Sequence, residues 1–84
     1  MNIAIGIRRA REYRSRSQRD LSLSIDVDAS YISRAEAGAH QPSLDVLGRI
    51  AHELDVPIIQ IVEWSSDALE LRAYRAYTRL QEKA

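Results

Sequence analysis

The chain has 84 residues, enough for one small domain whose core is only just large enough to fold without a covalent staple. The absence of cysteine excludes a disulfide framework and a thiolate metal site, and the histidines, His40 and His52, lack a paired-ligand spacing, so no metal or cofactor is expected. Twelve basic and twelve acidic residues balance to zero net charge, and no apolar run is long enough for a membrane span or a signal peptide, which predicts a soluble, cytoplasmic chain.

Asn2 is a candidate N-cap for a first helix over residues 3–13, with Ile3, Ile7 and Ala10 on its inner face. Residues 1–19 hold Arg8, Arg9, Arg11, Arg14, Arg16 and Arg19 against a single acid, Glu12. Such a cluster can be no more than a solvated helix face. Eleven of the twelve basic residues are arginine, however, whose planar fork suits phosphates and base edges. Residues 14–16 are polar and break the helix. Ser17 then caps a second helix reaching about residue 24, with Asp20 favoured in its first turn by the helix dipole. Asp26 stands where the following turn needs a positive φ, which Asp tolerates better than most residues. Asp28 caps a third helix that ends near Ala37, with Gly38 as its stop.

An exposed loop, residues 39–42, leads to Ser43, the cap of a fourth helix over residues 44–54. Leu44, Leu47, Ile50, Ala51 and Leu54 make its buried stripe. Pro57 suits the start of a fifth helix over residues 58–64, apolar on nearly every side and so either buried all round or half-covered by a partner chain. Ser65 or Ser66 caps a last helix over residues 67–82. Its residues Leu69, Ala73, Ala76 and Leu80 follow a 4-3-4 spacing with Tyr77 beside them. That seam can pack on the domain's own core or on a second copy, and two heptads are too few for a free-standing coiled coil. No strand alternation occurs, so the chain reads as all-α.

The stretch from Gln18 to Gly38, QRDLSLSIDVDASYISRAEAG, carries the chemistry. Leu21 and Ile25 share one helical face and Ile32 and Ala35 another, with Val27 at the corner. Ala29, Ser30, Ser33, Arg34 and Ala37 remain on the open side, a small, polar surface with one long cation. That is the pattern of a DNA-binding helix-turn-helix spanning residues 18–37.

Three motifs sharpen the reading: S-Q-x-D-L from Ser17, S-Y-I-S-R-x-E from Ser30, and G-x-x-x-P-S-L-D-x-L-x-R-I-A from Gly38, followed by V-P at Val56 and Pro57. In this order and spacing, over residues 3–63, they resemble the XRE family of helix-turn-helix regulators, which includes lambda-type repressors and Cro. The resemblance implies a five-helix lambda-repressor-like domain over residues 1–64, whose third helix enters the major groove. Residues 65–84 add one further helix for packing or dimerisation. Ala29, Ser30, Ser33 and Arg34 would face base edges, with Arg34 the best candidate for bidentate pairing to guanine. Gln18, at the cap of the second helix, would touch the DNA backbone, as would Arg19, Tyr31, His40, Gln41 and Ser43, with Arg14 and Arg16 added from the basic cluster. Arg11 and Glu36 match a structural ion pair between the first and third helices. A dimer contact would draw on Ile58, Ile59, Ile61, Val62 and Trp64 together with Leu69, Ala73, Ala76, Tyr77 and Leu80.

The departures from the family pattern are Asp26 for the usual turn glycine, Ser22 for a small apolar residue at the helix crossing, Arg16 for a core leucine, and Ala10 for a larger side chain. Tyr13 or the last helix is expected to compensate for the smaller core. Asp28 puts a carboxylate near where phosphates should run. The expected function is a sequence-specific regulator of transcription, repressor or controller protein, binding a palindromic operator on double-stranded DNA as a homodimer. The alternative is a protein-interaction module of the same fold, such as an antitoxin or co-regulator, without specific readout. An enzyme is disfavoured, because Asp26 and Asp28 lie at a turn and a cap, and Ser30 and Ser33 have no histidine base at helical spacing.

Overall fold

Six helices follow one another in the computed structural model, which describes residues 1–83: α1 (Ile3–Tyr13), α2 (Gln18–Ser24), α3 (Tyr31–Glu36), α4 (Leu44–Glu53), α5 (Ile58–Trp64) and α6 (Ala68–Lys83). No strand occurs among the described residues, so the all-α fold class expected of a lambda-repressor-like domain holds. Helix starts follow side-chain chemistry. The Ser17 hydroxyl accepts from the Asp20 amide at 3.0 Å, and the Ser43 hydroxyl accepts from the Val46 amide at 3.2 Å.

Three caps differ from expectation. Asn2 precedes α1 but makes no side-chain cap bond; its amide instead donates to the Ser65 carbonyl at 2.6 Å. The third helix begins at Tyr31, so Ala29 and Ser30 belong to the preceding turn, where the Asp28 carboxylate takes both the amide and the hydroxyl of Ser30. The cap of α6 is Asp67 rather than Ser65 or Ser66. Asp67 and Glu70 exchange amide-to-carboxylate bonds of 2.8 and 3.2 Å, a reciprocal capping box. Both serines instead turn their hydroxyls back onto α5 carbonyls, of Ile61 and Val62.

Asp26 does adopt the left-handed conformation, φ 59°, and Gly38 ends α3 at φ 77°. Ser15 and Asp55 are left-handed as well, with φ of 54° and 53°, at helix ends where glycine would have signalled the turn.

Ile7, Leu21, Ile32, Ile50, Leu54 and Ile61 are fully buried and come from the first five helices and the end of α4. The most intimate pairing is α1 on α5. It is possible because Gly6 has no side chain: a Cβ there would lie 1.8 Å from the Ser65 hydroxyl and 2.5 Å from the Ile61 carbonyl. Ala10, fully buried, continues the same close approach. Neither Tyr13 nor any described side chain of α6 fills space beneath α1. Tyr13 is exposed, resting at the rim against Trp64 with ring centroids 5.4 Å apart, and among the described residues none of α6 belongs to the core. Leu44, expected on the buried stripe of α4, is instead 74% exposed, and it is Val46 and Leu47 of that first turn that meet the core.

Candidate nucleic-acid interface

The angle between α2 and α3 is set by buried polar contacts as well as by Leu21, Ile25 and Ile32. Ser22, where the family pattern has a small apolar residue, is fully buried. Its hydroxyl donates to the Gln18 carbonyl at 2.8 Å and accepts from the Ile32 amide at 3.1 Å. One side chain thus satisfies a first-turn amide of α3, which has no intrahelical partner of its own.

Arg11 and Glu36 fix α3 against α1. The guanidinium grips both carboxylate oxygens, at 2.7 and 3.0 Å, and its third nitrogen donates to the Arg16 carbonyl at 2.8 Å. The Glu36 side chain is only 4% exposed and that of Arg11 14%. The Glu36 hydrogen bond raises the Arg11 pKa further above its ordinary value. Gln18 joins the pair by donating to Glu36 at 3.1 Å. Ser17 is therefore the cap of α2, while Gln18 is turned toward α3.

Arg8, Arg11, Ser17, Gln18, Ser33 and Glu36 border one open groove between α1 and the start of the helix-turn-helix. The residue sequence reasoning left out of the site is Arg8, exposed and bonded to Glu12 at 2.8 Å. Its membership in the arginine cluster was the available signal.

Ser33 and Arg34 are exposed on α3, and Ser30 is exposed in the turn before it; Ala29 is half-buried. Arg34 is not free: its Nη2 donates to Asp28 Oδ2 at 2.7 Å. The separation of six residues, across a turn and a helix start, matches no helical spacing, so the pair left no pattern in the sequence. The Ser30 hydrogen bonds first, and then Arg34, hold the Asp28 carboxyl below the usual carboxylate range.

Tyr31 is half-buried and meets His40 edge-on, with ring centroids 4.5 Å apart. This contact ties α3 to the loop before α4. The His40 Nε2 atom is buried without a partner. Gln41 and Ser43 are exposed, with the Ser43 hydroxyl engaged in capping α4. Arg19 is exposed on α2.

Arg14 and Arg16 stand elsewhere. Arg14 caps the end of α4 by donating to the Leu54 and Asp55 carbonyls at 2.8 and 2.9 Å. Arg16 bridges Glu53 at 3.3 Å and the Ser24 hydroxyl at 2.7 Å. Both therefore lie toward the C-terminal ends of α2 and α4, whereas Gln18 and Ser43 mark the N-terminal ends. Arg14 thus satisfies carbonyls at the end of α4, where the helix dipole favours a cation, while Arg16 holds two side chains, so both expected DNA-backbone ligands are engaged within the chain. This also explains how a polar Arg16 is tolerated where a core leucine is usual.

The expected dimer surface divides in two. Ile61 is fully buried in the chain's own core, and Ile58 and Trp64 pack against that core, so α5 is covered chiefly by α1. Ile59 is exposed and Val62 half-buried. Leu69, Ala73, Ala76, Tyr77 and Leu80 are all exposed on α6, and none of them lies in the domain core.

No described helix is long and apolar enough to cross a membrane. Among the described residues no cluster of His, Cys, Asp or Glu is arranged to hold a metal ion. A family model described as helix-turn-helix matches residues 7–61. No curated protein and no solved structure matches the chain.

Proposed function

The chain belongs to the helix-turn-helix family, and from that premise we propose that it is a sequence-specific regulator of transcription that binds a palindromic operator on double-stranded DNA as a homodimer. The observation that carries this reading is the exposed face of α3. Ser33 and Arg34 project from a helix locked to α1 and α2 by Arg11, Glu36 and Ser22, so its solvent face is presented rigidly. A rigid helix with small polar side chains and one arginine suits insertion into the major groove, where arginine pairs bidentately with guanine. Beside it, Arg8, Gln18, Arg19, Gln41 and Ser43 are the groups proposed to meet phosphates. One such face reads only a few base pairs, and a two-fold dimer would double the site. Residues 1–64 would form the binding domain, and the exposed seam in residues 65–84 would supply dimer contact. The setting that fits is the cytoplasm of a prokaryote, at the nucleoid.

Selection of bound duplexes from a random pool, followed by affinity measurement across a salt series, tests the reading. An enriched inverted repeat and a steep negative salt slope are expected.

A second reading draws on one observation: Arg34 on α3 and Arg11, which is bonded to α3 through Glu36, are both paired internally. A protein-interaction module with this fold would need neither cation free. Absence of duplex binding even at low salt would favour it.

A further inference from the structure

Asp28 is engaged on both sides. Its Oδ1 accepts from the Ser30 amide at 2.9 Å and the Ser30 hydroxyl at 2.7 Å, and its Oδ2 accepts from Arg34 at 2.7 Å. The carboxylate cannot rotate toward another partner without breaking one of these sets. It thus links the turn ahead of α3 to the Arg34 guanidinium, which reaches back over that turn on the exposed surface. An arginine carries five N–H donors on three nitrogens, and only Nη2 of Arg34 has a recorded partner among the described residues. The rest of the fork is presented outward from a tethered point. An untethered arginine on an exposed helix would sample many rotamers and reach phosphates as readily as bases.

The charge of Asp28 acts in the same direction. An exposed carboxylate beside a polyanion lowers affinity for every duplex. The penalty is greatest when Arg34 leaves it for a phosphate, because the carboxylate is then stranded unpaired near other negative charge. Such a device disfavours wrong complexes rather than strengthening the right one.

Resting on the DNA-binding reading above, we infer that Asp28 is a specificity-determining residue: its grip on Arg34 directs the guanidinium to one base position and withholds it from the phosphates.

Asp28→Asn tests this, since an asparagine oxygen still accepts from Ser30 and keeps the turn, while the charge is lost. Wild type, Asp28→Asn, Arg34→Ala and the double variant are measured on the duplex that wild type selects and on a scrambled one, over a salt series, with thermal melts as the folding check. Asp28→Asn is expected to bind the scrambled duplex more tightly, with a salt slope steeper by about one per protomer. The selected-to-scrambled ratio should fall about tenfold, with preference relaxed at the same base position as in Arg34→Ala. The double variant should discriminate no worse than Arg34→Ala alone, because Asp28 acts through Arg34. Asp28→Ser, which keeps an oxygen able to bond within the turn, repeats the measurement if the asparagine variant melts low. An unchanged ratio, or an equal further loss in the Arg34→Ala background, would overturn the inference while leaving DNA binding intact. If wild type itself binds neither duplex, the DNA-binding reading fails and this inference with it.

Discussion

The Ile32 amide donates to the Ser22 hydroxyl at 3.1 Å, at a point where both residues are fully buried. This one contact joins the two helices of the helix-turn-helix by a polar bond at the place where an apolar residue would leave the amide without a partner. Ser22→Ala keeps the size of the site and removes the acceptor. A buried donor left unsatisfied costs about 1–3 kcal/mol. For a domain of this size each kcal/mol lowers Tm by roughly 4–8 °C, so thermal melts should show a drop well outside error. A Tm within a degree or two of wild type would mean that the crossing is held by Leu21, Ile25 and Ile32 alone.

Gly6 sets the α1–α5 distance. In Gly6→Ala the new Cβ would meet the Ile61 carbonyl at 2.5 Å and the Ser65 hydroxyl at 1.8 Å. The hydroxyl can swing aside, but the carbonyl belongs to a helix backbone and cannot. Alanine favours a helix by about 1 kcal/mol over glycine. Overpacking costs about 1–3 kcal/mol and is the larger effect here, because a whole helix must shift. Gly6→Ala should therefore lower Tm, and Ser65→Ala in the same chain should restore only part of the loss. Full restoration would show that the serine alone limits the approach.

Arg11→Ala would leave the Glu36 carboxylate buried with Gln18 as its only remaining side-chain donor among the described residues. Breaking a buried pair from one side costs about 3–5 kcal/mol, a large share of a small domain's stability. Arg11→Lys should recover little, since an ammonium cannot span both Glu36 oxygens and the Arg16 carbonyl. Melts and salt titrations on the same samples separate the roles. Tm should fall steeply while the salt slope of DNA binding changes by less than one. The opposite pattern would place Arg11 on a phosphate.

Asp28 and Glu12 both have carboxyl pKa values below the ordinary range, Asp28 through Ser30 and then Arg34, Glu12 through its hydrogen bond from Arg8. With the folded value below the unfolded one, the contribution to stability is present above the unfolded pKa, about 4. It is lost as pH falls through the folded value. Tm should hold steady from pH 7 to 5 on this account and decline at more acid pH. Both side chains are exposed, so the effect is modest. The Asp28→Asn, Glu12→Gln double variant should decline less steeply when melted across pH at constant ionic strength. Parallel curves would show that neither group titrates differently on folding.

Much of this molecule is legible in its sequence because local chemistry determines it. The bounds of α1, α2 and α5 follow from apolar spacing and from capping or breaking residues, and the positive φ at Asp26 follows from turn geometry. Contacts that depend on how helices meet are not legible in this way. Ser22 looked like a defect because its partner, the Ile32 amide, is ten residues away and has no side-chain signature. An arginine cluster does not reveal which groups lie nearby: Arg14 meets the last carbonyls of α4, and Arg16 meets the side chains of Glu53 and Ser24. Asp28 and Arg34 are paired only because the turn folds one back over the other.

Ile61 and Leu80 were expected on one dimer surface, yet they occupy opposite situations: the first is fully buried against α1, the second 68% exposed on α6. They should respond differently. Ile61→Ala creates a core cavity and should cost about 2–5 kcal/mol, read as a lower Tm at any protein concentration. Leu69→Glu with Leu80→Glu puts charge on a seam that covers none of the core. In the proposed homodimer this change should yield monomers in sedimentation at concentrations where wild type is dimeric. The melt of the monomeric variant should then be independent of concentration. Operator affinity should fall sharply with it, because two half-sites would no longer be held by one particle. If the charged variant still dimerises, the contact lies elsewhere, and exposed Ile59 with half-buried Val62 becomes the surface to alter next.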